Sequence, residues 1–176
     1  SNRLIYRLAT LAATFWNEVL HADVRFQALA EPFLNFCDGP ITPIFEEFSA
    51  GVAAISASAE ERRAMFRDPV YRAAFTKQWR GRLGRVFHGD LRRMIVVSAP
   101  DAALAGRSFA EIAADRGQDA LPCFLDLLAE HDTALRWSTV ATNDRPGPVR
   151  YLLAHPATLP GFNDSGAHNR NMAFHD

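Results

Sequence analysis

Leu159-Pro160-Gly161-Phe162-Asn163-Asp164-Ser165-Gly166-Ala167-His168 is a short apolar run that stops at a carboxylate, turns on a glycine and reaches a histidine. The pattern predicts a strand over 158–163 that delivers Asp164 to the loop at its C-terminal end. Loops at that end of parallel strands are free to build a site, which makes Asp164 the leading catalytic candidate. Taken alone, an Asp-Ser-Gly triplet is also ordinary turn chemistry.

Working outward, residues 149–154 read as a short helix stopped by Pro156, and 143–148 (NDRPGP) as a turn. Residues 135–141 (LRWSTVA) alternate and predict a strand. Asp119 stands as cap for a helix through Leu121, Phe124, Leu125, Leu127 and Leu128 that ends near His131. Ser108 with Glu111 is a capping box, Phe109, Ile112 and Ala113 supply an apolar face, and Gly117 is a suitable stop. Residues 94–97 (MIVV) predict a β-branched strand buried on both faces, as parallel strands are.

In the first half, residues 4–20 place Leu4, Leu8, Leu11, Phe15 and Val19 on one stripe at helical spacing. Residues 23–29 (DVRFQAL) alternate and predict a strand. From 31 to 51, Pro32, Pro40 and Pro43 interrupt a run holding Phe33, Phe36, Phe45 and Phe48, and neither period fits. An ordered loop with short helical turns is expected, its phenylalanines packed beneath it or lining an apolar pocket. A second capping box, Ser58 and Glu61, opens a helix to about Arg67, and Asp68-Pro69 opens another over 69–79. The basic run Lys77, Arg80, Arg82, Arg85, Arg92 and Arg93, interleaved with glycines, reads as a solvated connector, with a phosphate or carboxylate clamp as the alternative.

The 176 residues are 48% hydrophobic and 22% charged, enough for a folded core in one domain. A net charge of -1, from 19 basic against 20 acidic residues, argues against nucleic-acid or anionic-membrane partners. No apolar run approaches the roughly 20 residues of a membrane span, and no signal-peptide pattern stands at the N-terminus. Cys37 and Cys123 lie far apart with no second ligand nearby, so reduced thiols and a cytoplasmic location are expected. The element order predicts a parallel α/β sheet with right-handed crossovers, carrying a helical insertion at about 31–93. A closed (β/α)8 barrel takes about 250 residues. Four strands in this length therefore read as its later half, incomplete as a single chain.

At HPATLPGFNDSGAHNRNMAF the sequence resembles the D-aminoacylase branch of the metal-dependent amidohydrolase superfamily, the N-acyl-D-amino-acid deacylases. Ala22-Asp23-Val24-Arg25-Phe26-Gln27 is similar to the strand that precedes a lid-like insertion there, and Gly106 to Gly117 (GRSFAEIAADRG) is similar to a family helix motif. The resemblance covers most of the chain in the family's order. It implies a barrel with one or two zinc ions at its C-terminal face, where metal-activated water attacks an amide carbonyl. It implies that Asp164 binds metal and acts as the general base. His168, four residues beyond, is close enough to face the same loop mouth and meet substrate, and Arg170 is a further substrate-binding candidate. His168 alternatively orients Asp164. Arg170 is suited to pair bidentately with a substrate carboxylate, or it is an exposed loop arginine. His21 is the candidate second metal ligand, while His88, His131, His155 and His175 read as loop or helix-end residues.

The departures are as informative. No two histidines are separated by one residue, so the family's first-strand His-x-His pair has no counterpart, nor has its mid-barrel cysteine or carboxylated-lysine ligand. A catalytic zinc usually needs three protein ligands. The expectation is therefore a segment, inactive alone, of a hydrolase acting on N-acyl amino acids. The remaining barrel, or a second chain, is its partner. A cyclic-amide hydrolase of the same superfamily and a non-catalytic small-molecule-binding or interaction domain with a degraded site are the alternatives.

Overall fold

The computed structural model describes residues 5–81, 87–161 and 172–173. Seven α-helices, three short 3-10 helices and six strands fall within them; the α-helices and strands are named in chain order. They are α1 (Ile5–Glu18), β1 (Phe26–Ala28), β2 (Phe33–Asp38), α2 (Ser49–Ser56), α3 (Ala59–Arg67), α4 (Pro69–Arg80), β3 (Met94–Ser98), α5 (Phe109–Asp115), α6 (Ala120–His131), β4 (Arg136–Thr142), α7 (Pro146–Leu153), β5 (Thr158–Pro160) and β6 (Met172–Ala173). The architecture is mixed α/β.

Helix boundaries follow the local chemistry. Ser58 Oγ accepts from the Glu61 amide while the Glu61 carboxylate accepts from the Ser58 amide, and Ser108 with Glu111 repeats the arrangement at α5. Each box satisfies backbone donors that a helix start leaves open. Asp68 caps α4 through the amides of Val70 and Tyr71, with Pro69 in the first turn. Asp119 occupies the cap position of α6 but makes no side-chain capping bond.

The strands form two sheets. β1 and β5 pair in parallel, Phe26 opposite Thr158 and Ala28 opposite Pro160. The second sheet has the order β3-β4-β2-β6, and every neighbouring pair in it is antiparallel. The single parallel sheet expected from the element order is thus corrected: among the described residues only β1 and β5 run in parallel. The connection supplies the reason. One crossover helix returns a chain to the start of its strand, but two helices, α5 and α6, lie between β3 and β4. The pair brings the chain back to where β3 ended, and Arg136 starts β4 opposite Ser98.

A second correction concerns residues 31–51. Phe33–Asp38 forms β2, between β4 and β6, where an irregular loop was expected. The stretch assigned to a helical insertion at 31–93 therefore contributes a strand, and its sheet is completed by β3 and β4 from beyond it. Two of its phenylalanines pack inward, Phe45 fully buried and Phe48 nearly so, while Phe33 and Phe36 on β2 are only partly buried.

The core lies between this antiparallel sheet and helices α2 to α6. Phe45 meets Phe75 at 5.4 Å between ring centroids, Phe75 stacks on Trp79, and Phe124 joins Phe109 at 4.6 Å and Trp137 at 5.8 Å. Edge-on contacts dominate, the arrangement that aromatic quadrupoles favour. Cys37 and Cys123 are buried free thiols, and burial pushes both above the usual thiol range. Among the described residues no helix is long and apolar enough to cross a membrane.

Candidate functional site

β1 and β5 end side by side. The Phe26 amide donates to the Ala157 carbonyl at 3.0 Å, and at the other end of the pair the Gly161 amide donates to the Ala28 carbonyl at 3.1 Å. Gly161 has φ 104, a backbone region that suits glycine, so the chain turns off the strand there. Three residues further on stands Asp164. Asp164, His168 and Arg170 lie outside the described residues, and what the structure fixes is the rim from which their segment departs.

That rim has further walls. After β1 the chain crosses to the larger sheet, and Asn143 fastens the crossing: its Nδ2 donates to the Leu29 carbonyl at 2.9 Å and reaches the Glu31 carbonyl at 3.4 Å. Asn143 itself sits at φ 60, a left-handed conformation that asparagine tolerates better than most residues. Next to it, Asp144 accepts from Arg93 at 2.6 Å. α7 then starts at Pro146 and runs back toward the start of β5. A cleft of about 600 Å³ opens here, lined by Ala30, Pro32, Asn143, Val149, Arg150 and Leu153. Asn143 and Arg150 were not singled out from the sequence. Their signal, the NDRPGP turn, read only as punctuation between two elements.

The opposite side of the pair is closed by side chains of α1 and α7. His155 Nδ1 accepts from the Ala157 amide, which leaves the proton on Nε2 to donate to Thr14 Oγ1 at 3.2 Å. Phe26 lies 5.7 Å from the His155 ring. Thr10 Oγ1 donates to the Arg7 carbonyl, so the Tyr151 hydroxyl donates to Thr10 at 3.2 Å. His155 is thereby committed to structure, as its helix-end position suggested.

His21 sits in the turn between α1 and β1, exposed and at φ 53. It precedes the strand, whereas the rim lies where Ala28 and Gly161 meet, at the strand's other end. Among the described residues, no three His, Cys, Asp or Glu side chains are grouped so as to hold a metal ion. These residues do not by themselves form a zinc site.

His88 is the described histidine with a marked shift. It is half-buried, its Nδ1 accepts from the Asp90 amide at 2.8 Å, and its Nε2 therefore donates to Thr139 Oγ1 at 3.0 Å. Thr139 in turn donates to the Arg93 carbonyl. Burial, and secondarily the Arg93 charge, hold His88 below the usual histidine range. A second cleft, of about 480 Å³, lies among Trp79, Arg80, Asp90, Arg92, Ala110 and Leu121. Its Arg92 is held by Asp90 at 2.8 Å; of the basic run, Lys77 and Arg80 lie in the last turn of α4, and Arg82 and Arg85 fall outside the described residues.

No family model matches the chain, and no solved structure matches it. It is similar to uncharacterized proteins of Mycobacterium bovis and Mycobacterium tuberculosis, 40% identical over 164 residues. The match takes in 91% of this chain and 27% of each relative, so the chain spans about a quarter of their length. With 164 residues making up 27% of the whole, those proteins run to about 600 residues.

Proposed function

We propose that this chain is the later part of an amidohydrolase-type (β/α)8 barrel that hydrolyses linear N-acyl amino acids. The observation that carries the reading is the parallel pairing of β1 and β5, with Gly161 hydrogen-bonded to Ala28 at their shared C-terminal end. Asp164 follows three residues later in a stretch that resembles the last-strand pattern of that superfamily. The relatives' length supports the reading in a second way, since about 600 residues leave ample room for the strands this chain does not supply.

In this reading Asp164 moves a proton. As a carboxylate it takes one from the attacking water and returns it to the leaving amine, so that neither hydroxide nor an amide anion has to leave free. His168 and Arg170 hold the acyl amino acid, Arg170 through the two oxygens of its carboxylate. Zinc, bound chiefly by residues from outside this segment with Asp164 as one ligand, would supply a water nucleophile at neutral pH. Asn143 positions the 29–31 crossing and with it one wall of the rim cleft.

The test is turnover by the full-length protein that carries this segment. It is stripped with a chelator, reloaded with zinc, and assayed on N-acetyl-D-amino acids and on cyclic amides. Activity toward the linear acyl amino acids should return with zinc, and the 176-residue chain should show none. A zinc-replete full-length protein without turnover on either substrate class would favour a non-catalytic binding domain.

A further inference from the structure

α1 presents its apolar stripe outward. Its buried residues are Thr10 and Ala13, and the bonds of Thr10 and Thr14 to Tyr151 and His155 fasten that side to α7. Leu8, Leu11, Phe15 and Val19 lie on the other side, each more than half exposed, with Trp16 and Leu20 beside them at about half. At 100° per residue the stripe is centred roughly 140° around the helix from Thr10. A contiguous face of large apolar side chains on a protein surface marks a contact.

The two-stranded sheet that follows α1 in the chain is open on one edge. Parallel ladders alternate in direction, and the bonds made by Phe26 and Ala28 point to β5, so the peptide groups of Gln27 point the other way. Among the described residues no strand pairs with β1 on that edge. Parallel sheets are found buried and covered by helices, not as exposed pairs.

We infer that the stripe of α1 and the Gln27 edge of β1 form one docking surface, filled by a strand-and-helix unit from the rest of the longer polypeptide. A helix that feeds a parallel strand is the return leg of a right-handed crossover. The strand before α1 therefore belongs on the side of β1 not taken by β5, running parallel to it, with α1 covering the junction. The helix preceding that strand presents an apolar face to Leu11 and Phe15. A second copy of this chain fits less well, because a two-fold contact would pair β1 with itself in the antiparallel sense. The relatives have about three quarters of their length outside the matched segment, which is where such a unit comes from. The inference rests on the partial-barrel reading above and is independent of its hydrolytic chemistry.

Hydrogen exchange tests it. Amides of residues 8–20 and of Gln27 should exchange at least about 100-fold more slowly in the full-length protein than in the 176-residue chain. In the full-length protein, Leu11→Glu with Phe15→Glu should lower Tm by several degrees, while Leu11→Met with Phe15→Met restores it. Equal exchange in the two proteins would overturn the inference. So would concentration-dependent dimerisation of the 176-residue chain that Leu11→Glu with Phe15→Glu abolishes, since the occupant would then be a second copy. Protection of α1 in a full-length protein without turnover would leave this surface standing and remove the hydrolase reading alone.

Discussion

The Gly161 amide donates to the Ala28 carbonyl, joining the ends of two strands that are more than 130 residues apart in the chain. That bond sets where the chain leaves β5, and so where the segment carrying Asp164 begins. Gly161 holds it at φ 104, with nothing among the described residues within 4 Å of the position a Cβ would take. Among those residues the conformation, not crowding, opposes a side chain. Gly161→Ala should cost about 1–3 kcal/mol in a urea melt. Gly147→Ala, which also meets nothing within 4 Å and has no positive φ, is the matched control and should stay within about 0.5 kcal/mol.

Arg62 and Asp132 lock α3 to the end of α6. Nε donates to Oδ1 at 2.6 Å and one terminal nitrogen to Oδ2 at 2.8 Å, while the other terminal nitrogen caps the Ala57 carbonyl. Both side chains are largely buried, at 10% and 13% exposure. Arg62→Ala strands a carboxylate in poor contact with water and should destabilise by about 3–5 kcal/mol in equilibrium unfolding. Arg116→Ala, which removes the more exposed 3.5 Å pair with Glu130, should change stability by less than about 1 kcal/mol.

His88 gives the fold a pH dependence of predictable sign. Its folded pKa lies below the unfolded value because burial and Arg93 oppose protonation, against the smaller opposite pulls of Asp90 and Asp144. Above the unfolded pKa, about 6.5, both states are neutral and the contribution is fully present. As pH falls below that value the unfolded chain binds a proton that the folded one resists, and stability declines toward the folded pKa. Melting temperature should therefore drop between pH 7 and pH 5. His88→Asn, which keeps an acceptor near the Asp90 amide, should flatten that drop.

Helices opened by a capping side chain were legible in the sequence because that signal is local, whereas α2, whose cap position Phe48 makes no side-chain capping bond, was not. Ser58 with Glu61, Ser108 with Glu111 and Asp68-Pro69 each mark a start within four residues, and each start was found where expected. β2 was not legible because its burial inverts the usual pattern. Asn35 and Cys37 point into the core while Leu34 and Phe36 are only partly buried, and the Arg136 guanidinium covers the Phe36 ring at 5.4 Å. Strand direction escaped for another reason: MIVV and LRWSTVA read alike in either sense, and the α5–α6 pair between them decides. At the rim, the bond from Asn143 to Leu29 spans 114 residues, and no local period records such a contact. The stripe on α1 was read correctly as a helix face, but which side of the helix finds a partner depends on what surrounds it.

Asp164 is proposed to work at the rim defined by Ala28 and Gly161. The most direct measurement is kcat of the full-length, zinc-loaded protein on an N-acyl amino acid before and after Asp164→Asn, with circular dichroism and bound zinc measured on both. A fall in kcat of at least about 100-fold with the fold retained is expected. Unchanged turnover in the Asn variant would contradict it.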